Sequence, residues 1–141
     1  MTVLPFPRPS SSVLVLNDCV GTLALLTHAL QEVGFRVRGG TVASFRDGGR
    51  PFQGRFDPDV IVYDIGRGGD DDWDCLRQLT EVPAAAGKPL VITTTNVVKV
   101  EGHRDAVYVR SRLQFMSAPY DLGDLVARVS DAIGLTYDDA I

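Results

Sequence analysis

The sequence predicts an α/β fold, a doubly wound parallel sheet of five strands with helices on both faces. Three observations lead there. Short continuous apolar runs such as Val13-Leu14-Val15-Leu16 and Val60-Ile61-Val62-Tyr63 read as strands covered on both sides, the usual position of a parallel strand. Apolar residues at helical spacing fall between those runs, and strands alternating with helices form layered parallel sheets. Polar residues follow at the carboxyl ends of the strands, at Asn17-Asp18, Asp64, Thr93-Thr94-Thr95 and Ser117. That is the edge along which such a sheet carries its crevice.

Taken in order, residues 1–12 end in Pro9-Ser10-Ser11-Ser12 and read as a flexible leader. The first strand is Val13–Leu16. A helix is expected from Val20 to Val33, where Leu23, Leu26, Leu30 and Val33 share a face and Gly34 stops the pattern. Phe35-Arg36-Val37-Arg38 alternates, as in an edge strand with one exposed side. Gly39 to Pro58 holds five glycines, leaving room for only a short helix over Val42–Asp47. The third strand ends at Asp64 and a glycine-rich acidic loop follows it. Trp73, Leu76 and Leu79 then supply a helical stripe, which reads as core for the tryptophan. Pro89-Leu90-Val91-Ile92 leads into the threonines as a fourth strand. A further helix is expected around Gly102 to Val109, and Leu113-Gln114-Phe115-Met116 forms the fifth strand. The closing helix is capped by Asp121, with Leu122, Leu125, Val126, Val129 and Ile133 on one face before Gly134. Residues 13–134 thus form one domain, and 135–141 a short tail.

Composition supports a single globular unit and narrows its partners. A chain of 141 residues buries enough surface for one core, and 45% hydrophobic against 23% charged residues is far from the balance of a disordered chain. With 14 Lys and Arg against 18 Asp and Glu, the net charge of -4 disfavours nucleic acid and anionic membrane as partners. Prolines at 5, 7 and 9 interrupt the apolar start, so no signal sequence is expected and a cytoplasmic location is. Cys19 and Cys75 have no metal-ligand spacing and read as small buried or half-buried residues in a reducing compartment. His28 and His103 lack partners at catalytic spacing and read as solvated. No GxGxxG follows the first strand, which argues against a dinucleotide enzyme.

Two carboxylates and an amide converging from separate strands suit a hard divalent cation, because Mg²⁺ takes oxygen ligands and commonly joins one or two carboxylates to a phosphate. Asp18, Asp64 and Asn17 are the candidates. A carboxylate there can also accept a phosphoryl group, with Thr94 donating a hydrogen bond to it. Strand-end aspartates also cap helices and turns, and spacing alone does not separate the two uses.

From Val13 to about Gly134 the chain resembles the receiver domain of two-component response regulators. Val13-Leu14-Val15-Leu16-Asn17-Asp18 is similar to that family's first strand with its terminal acidic pair. Asp57-Pro58-Asp59-Val60-Ile61-Val62-Tyr63-Asp64 is similar to the strand that carries the phospho-accepting aspartate. Pro89-Leu90-Val91-Ile92-Thr93-Thr94 resembles the strand ending in a switch hydroxyl, and Phe115-Met116-Ser117-Ala118-Pro119-Tyr120-Asp121-Leu122 the last strand and turn. The resemblance implies a CheY-like, flavodoxin-like (βα)5 sheet in the order 2-1-3-4-5 and a cis bond before Pro119. It makes Asp64 the phospho-acceptor and Thr94 the switch hydroxyl. Asp18, Asp64, Asn17 and the Gly66 carbonyl become the ligands of a weakly bound Mg²⁺, with no other cofactor. Phe115 takes the aromatic switch position and, with Tyr120, a partner-facing surface. The implied partners are proteins, a histidine kinase or an output protein.

Two departures set the functional expectation. Asn17 replaces an acid, removing a charge that attracts metal. Ala118 stands where the family has a lysine that pairs with the phosphoryl oxygens, a charge-assisted contact a methyl group does not replace. These departures predict an atypical receiver-like module acting through protein interaction, largely independent of phosphorylation. The alternative is a working phospho-acceptor using Asp64 with Mg²⁺. In neither case is a metabolic enzyme expected; the most is self-phosphorylation from a phosphodonor and slow autodephosphorylation.

Overall fold

The computed structural model describes residues 11–46, 56–66, 70–95 and 113–134. Within them lie β1 (Ser12–Leu16), α1 (Val20–Glu32), β2 (Arg36–Gly40), α2 (Val42–Arg46), β3 (Val60–Gly66), α3 (Asp70–Thr80), β4 (Leu90–Thr94), β5 (Leu113–Ser117) and α4 (Leu122–Ile133). The five strands form one sheet in the order β2-β1-β3-β4-β5, every pairing parallel. The expected doubly wound topology and strand order are therefore present. The helix expected around Gly102 to Val109 lies outside the described residues, as do His103 and residues 67–69 of the glycine-rich loop after Asp64.

Strand parity explains why the apolar runs are continuous. Val13, Val15, Val60, Val62 and Val91 enter a cluster with Leu26 and Leu30 of α1 and Leu125 and Val129 of α4. The alternate residues Leu14, Leu16, Ile61, Tyr63, Leu90 and Ile92 enter a second cluster with Trp73, Leu76 and Leu79 of α3. Each central strand therefore needs apolar side chains at every position, because both of its faces are dry. The edge strand β2 lacks this demand, and its Arg36 is exposed while Val37 is half-buried. At Gly39 a Cβ atom would meet Leu23 Cδ1 at 3.0 Å and Thr27 Oγ1 at 3.1 Å, so the missing side chain lets α1 lie close on that edge.

Three local readings need adjustment. Ser12 already belongs to β1, with its N–H on Asp59 Oδ2 at 2.8 Å. Helix α1 ends at Glu32, and Val33 is its C-cap with a 41% exposed side chain, because apolar spacing ran one residue past the end of the packed face. Cys75 is buried as expected, whereas Cys19 is exposed at the N-cap of α1. Helix α4 follows the sequence closely. Asp121 Oδ1 accepts the Gly123 N–H at 2.7 Å, and Gly134 closes the helix in a left-handed conformation. The Ala118–Pro119 bond is cis, as the resemblance implies.

Candidate functional site

Strands β1, β3 and β4 deliver the polar residues to one end of the sheet. Asp64 pairs in register with Thr93, after which the ladder shifts and Gly66 pairs with Thr94. Gly66 takes a positive φ of 61°, which glycine adopts without the steric cost a Cβ brings. Parity puts Asp64 and Thr93 on the sheet face covered by α1 and α4. There the Thr93 hydroxyl donates to Asp64 Oδ1 at 2.8 Å. Thr94 points to the opposite face. Its fully buried hydroxyl donates to the Gly66 carbonyl at 2.6 Å, and that carbonyl also accepts the Thr95 N–H at 3.0 Å and the Thr95 hydroxyl at 3.3 Å.

The loop after β1 is held by its own side chains. Asn17 is buried, and its amide oxygen accepts the Cys19 N–H at 2.8 Å. Asp18 is exposed, and its Oδ1 accepts the Ala43 N–H at 2.9 Å, capping α2. The capping use left open by the sequence is thus realised for one Asp18 oxygen. Burial pushes the Asp64 carboxyl above the ordinary range for an aspartate. The Thr93 hydroxyl and the Gly66 backbone pull the other way, and the charges of Asp18 and Asp72 add to the rise. Among the described residues no cationic side chain pairs with Asp18 or Asp64.

The last strand brings two aromatic residues and the position of the missing lysine. The Ala118 N–H donates to the Thr94 carbonyl at 2.8 Å, fixing the turn beside the site with only a methyl group there. Phe115 is half-buried against the α3 side of the core. Tyr120 is half-buried on the α1 and α4 side. Its hydroxyl is out of contact with solvent and makes no hydrogen bond of acceptable geometry, although it lies beside Thr93. Burial, above all, and the charge of Asp64 raise the pKa of this phenol. The Tyr120 oxygen thus lies inside the structure. Thr93 and the inward Tyr120 were missed by reading the chain alone. Thr93 was legible only as a strand position of the same parity as Val91. Cys19 lies nearby, its thiol pKa lowered by hydrogen bonds from the Thr22 side chain and backbone.

Comparison with solved structures settles the architecture. The chemotaxis protein CheY4 of Vibrio cholerae aligns over 87% of this chain and 98% of its own, with a TM-score of 0.70 and 16% identity. The fold is that of a receiver domain. A receiver domain protein from Clostridium thermocellum aligns over 88% of this chain and 94% of its own, with a TM-score of 0.67 and 20% identity. A response regulator from Thermotoga maritima covers 89% and 98%, with a TM-score of 0.64 and 19% identity. No family model and no curated protein matches the sequence. None of the described helices in this receiver fold is long and apolar enough to cross a membrane.

One expectation is overturned by this geometry. The sequence reading of a module largely independent of phosphorylation gave most weight to Asn17, Ala118 and the irregular loop. The structure instead keeps the polar residues assembled at one end of the sheet of this receiver fold. Asp64 lies two residues before the end of β3 with a hydroxyl on one oxygen, a second carboxylate is in electrostatic reach, and Thr94 is buried on the other face. Loss of one donor at Ala118 has not dismantled the rest.

Proposed function

We propose that this chain is a phospho-accepting receiver, with Asp64 as the acceptor. The observation that supports this most is that Asp64 is held by Thr93 near the carboxyl end of β3, part-buried and unpaired with any cation among the described residues. A carboxylate so placed keeps the nucleophilic oxygen that a phosphoryl acceptor needs. In the reaction an Asp64 oxygen attacks the phosphorus of a donor. The bond from phosphorus to the leaving group breaks, and the leaving group departs with the electron pair. Water later cleaves the acyl phosphate and restores the carboxylate. The protein contributes position and electrostatics to both steps.

The donor set fits a hydrated Mg²⁺, since Asp18 and Asp64 bring two carboxylates within reach of each other's charge, and two are enough for an ion that retains its waters. Asn17 Oδ1 and the Gly66 carbonyl already accept hydrogen bonds, so they would be secondary ligands at most. When bound, Mg²⁺ neutralises charge between the carboxylates and the phosphoryl oxygens. Partners under this reading are proteins: a histidine kinase as phosphodonor and an output protein as receiver of the signal. Labelling with radioactive acetyl phosphate and Mg²⁺ tests the proposal. A hydroxylamine-labile label is expected on the natural chain, absent from Asp64→Asn and reduced about tenfold or more by chelation of the metal. A label that survives Asp64→Asn, or no label on the natural chain, overturns it.

A further inference from the structure

Among the described residues no cation stands beside Asp64 to steady a phosphoryl group there, and Tyr120 bears on what does. Its hydroxyl is buried without a hydrogen bond of acceptable geometry, and a hydroxyl in that condition is less stable than one that is satisfied. Packing alone does not account for it, because a phenylalanine would fill the same space against the core between the sheet, α1 and α4 without the cost. The oxygen lies beside Thr93 and within reach of the charge on Asp64. Thr93 in turn has one proton, and gives it to Asp64 Oδ1. Two neutral hydroxyls therefore converge on the acceptor from the α1 and α4 side of the sheet, next to the turn at which Ala118 offers no donor.

We infer that the Tyr120 and Thr93 hydroxyls together bind the phosphoryl oxygens on Asp64, in place of the ammonium that Ala118 cannot supply. This rests on the phospho-acceptor reading and adds to it the residues that hold the group. In the free chain the Thr93 proton steadies the carboxylate and the Tyr120 proton is left over. With the phosphoryl group present, its oxygens are the strong acceptors in reach and both protons have a use. Neutral donors hold an anion less firmly than a charged one, so the group is bound more loosely than it would be with a lysine at 118.

The test is the affinity for beryllofluoride, a phosphoryl mimic, in the presence of Mg²⁺, followed by fluorine NMR on the whole chain. Tyr120→Phe is expected to weaken binding about tenfold while leaving Mg²⁺ affinity without the mimic unchanged and thermal stability equal or higher. Thr93→Val is expected to weaken it further and Thr93→Ser to restore it. Ala118→Lys in the Tyr120→Phe background is expected to recover the lost affinity. If the natural chain binds the mimic and Tyr120→Phe binds it equally well, the inference fails and the phospho-acceptor reading stands. If the natural chain binds no mimic and takes no label on Asp64, both fail. Should Thr93→Val not fold, Tyr120→Phe with its lysine rescue decides alone.

Discussion

Aspartates stand at both ends of this sheet, and the two ends use them differently. At the amino ends, Asp59 accepts the Ser12 N–H at 2.8 Å and returns its own N–H to the Ser12 carbonyl at 2.8 Å. Asp57 there meets Lys88 Nζ at 3.1 Å, tying the approaches to β3 and β4 together. At the carboxyl ends, Asp64 and Asp18 face one another's charge with no cation beside them among the described residues. The first arrangement joins strands. The second keeps charge in a place where the fold itself gains little from it, which is how sites for a metal or a transferred anion differ from structural contacts.

The largest expected effect of breaking this contrast is at Asp64. Because its carboxyl is raised above the ordinary range in the folded chain, protonation favours the fold. That contribution is complete below the unfolded pKa of about 3.9 and is lost as pH rises through the folded value. At neutral pH the ionised group therefore works against folding. Asp64→Asn, which keeps an oxygen for Thr93, is expected to raise the melting temperature by roughly a few degrees at pH 7. The gain should shrink toward zero near pH 4. Thermal melts across that range check it, and a variant less stable than the natural chain at pH 7 would show that the carboxylate is compensated after all.

An acid at the other end should respond in the opposite sense. Asp59→Ala leaves the N–H of the buried Ser12 without its acceptor and is expected to cost about 1–2 kcal/mol in urea unfolding. Asp59→Asn retains an acceptor oxygen and should cost less. Neither should alter labelling of Asp64, so a loss of labelling would mean that the two ends are coupled through β3.

How much of this was legible follows from what each residue depends on. The central strands were readable because both faces of β1, β3 and β4 are dry, which writes itself as unbroken apolar runs. The helix α4 was readable from Asp121 and Gly134, whose capping roles are local. Val33 misled because a periodic pattern does not show where packing stops. Which of Thr93 and Thr94 meets Asp64 was not readable, since it depends on the register of β4 against β3 and on the irregularity between Asp64 and Gly66. The inward hydroxyl of Tyr120 depends likewise on a turn held by a backbone bond from Ala118 to Thr94. The emphasis on the missing lysine came from reading one position in sequence without the hydroxyls that space puts near it.

The smallest expected effect concerns Lys88 and sharpens the comparison by showing how little an ordinary ion pair contributes. The Lys88 side chain is 28% exposed and Asp57 is 72% exposed, so solvent and salt screen their attraction, and ordering the lysine costs side-chain entropy. Lys88→Ala is expected to lower stability by less than about 1 kcal/mol, by an amount that falls as salt is raised from 0.05 to roughly 0.5 M. A double-mutant cycle with Asp57→Ala separates the pair from the lost packing of the lysine stem. The residue sits just before β4, at the end of the sheet away from Asp64, so labelling of Asp64 should be unchanged in Lys88→Ala. A coupling well above 1 kcal/mol, or a label that falls with it, would mean that the cation at the amino end also serves the acceptor. The division of labour between the two ends would then be wrong.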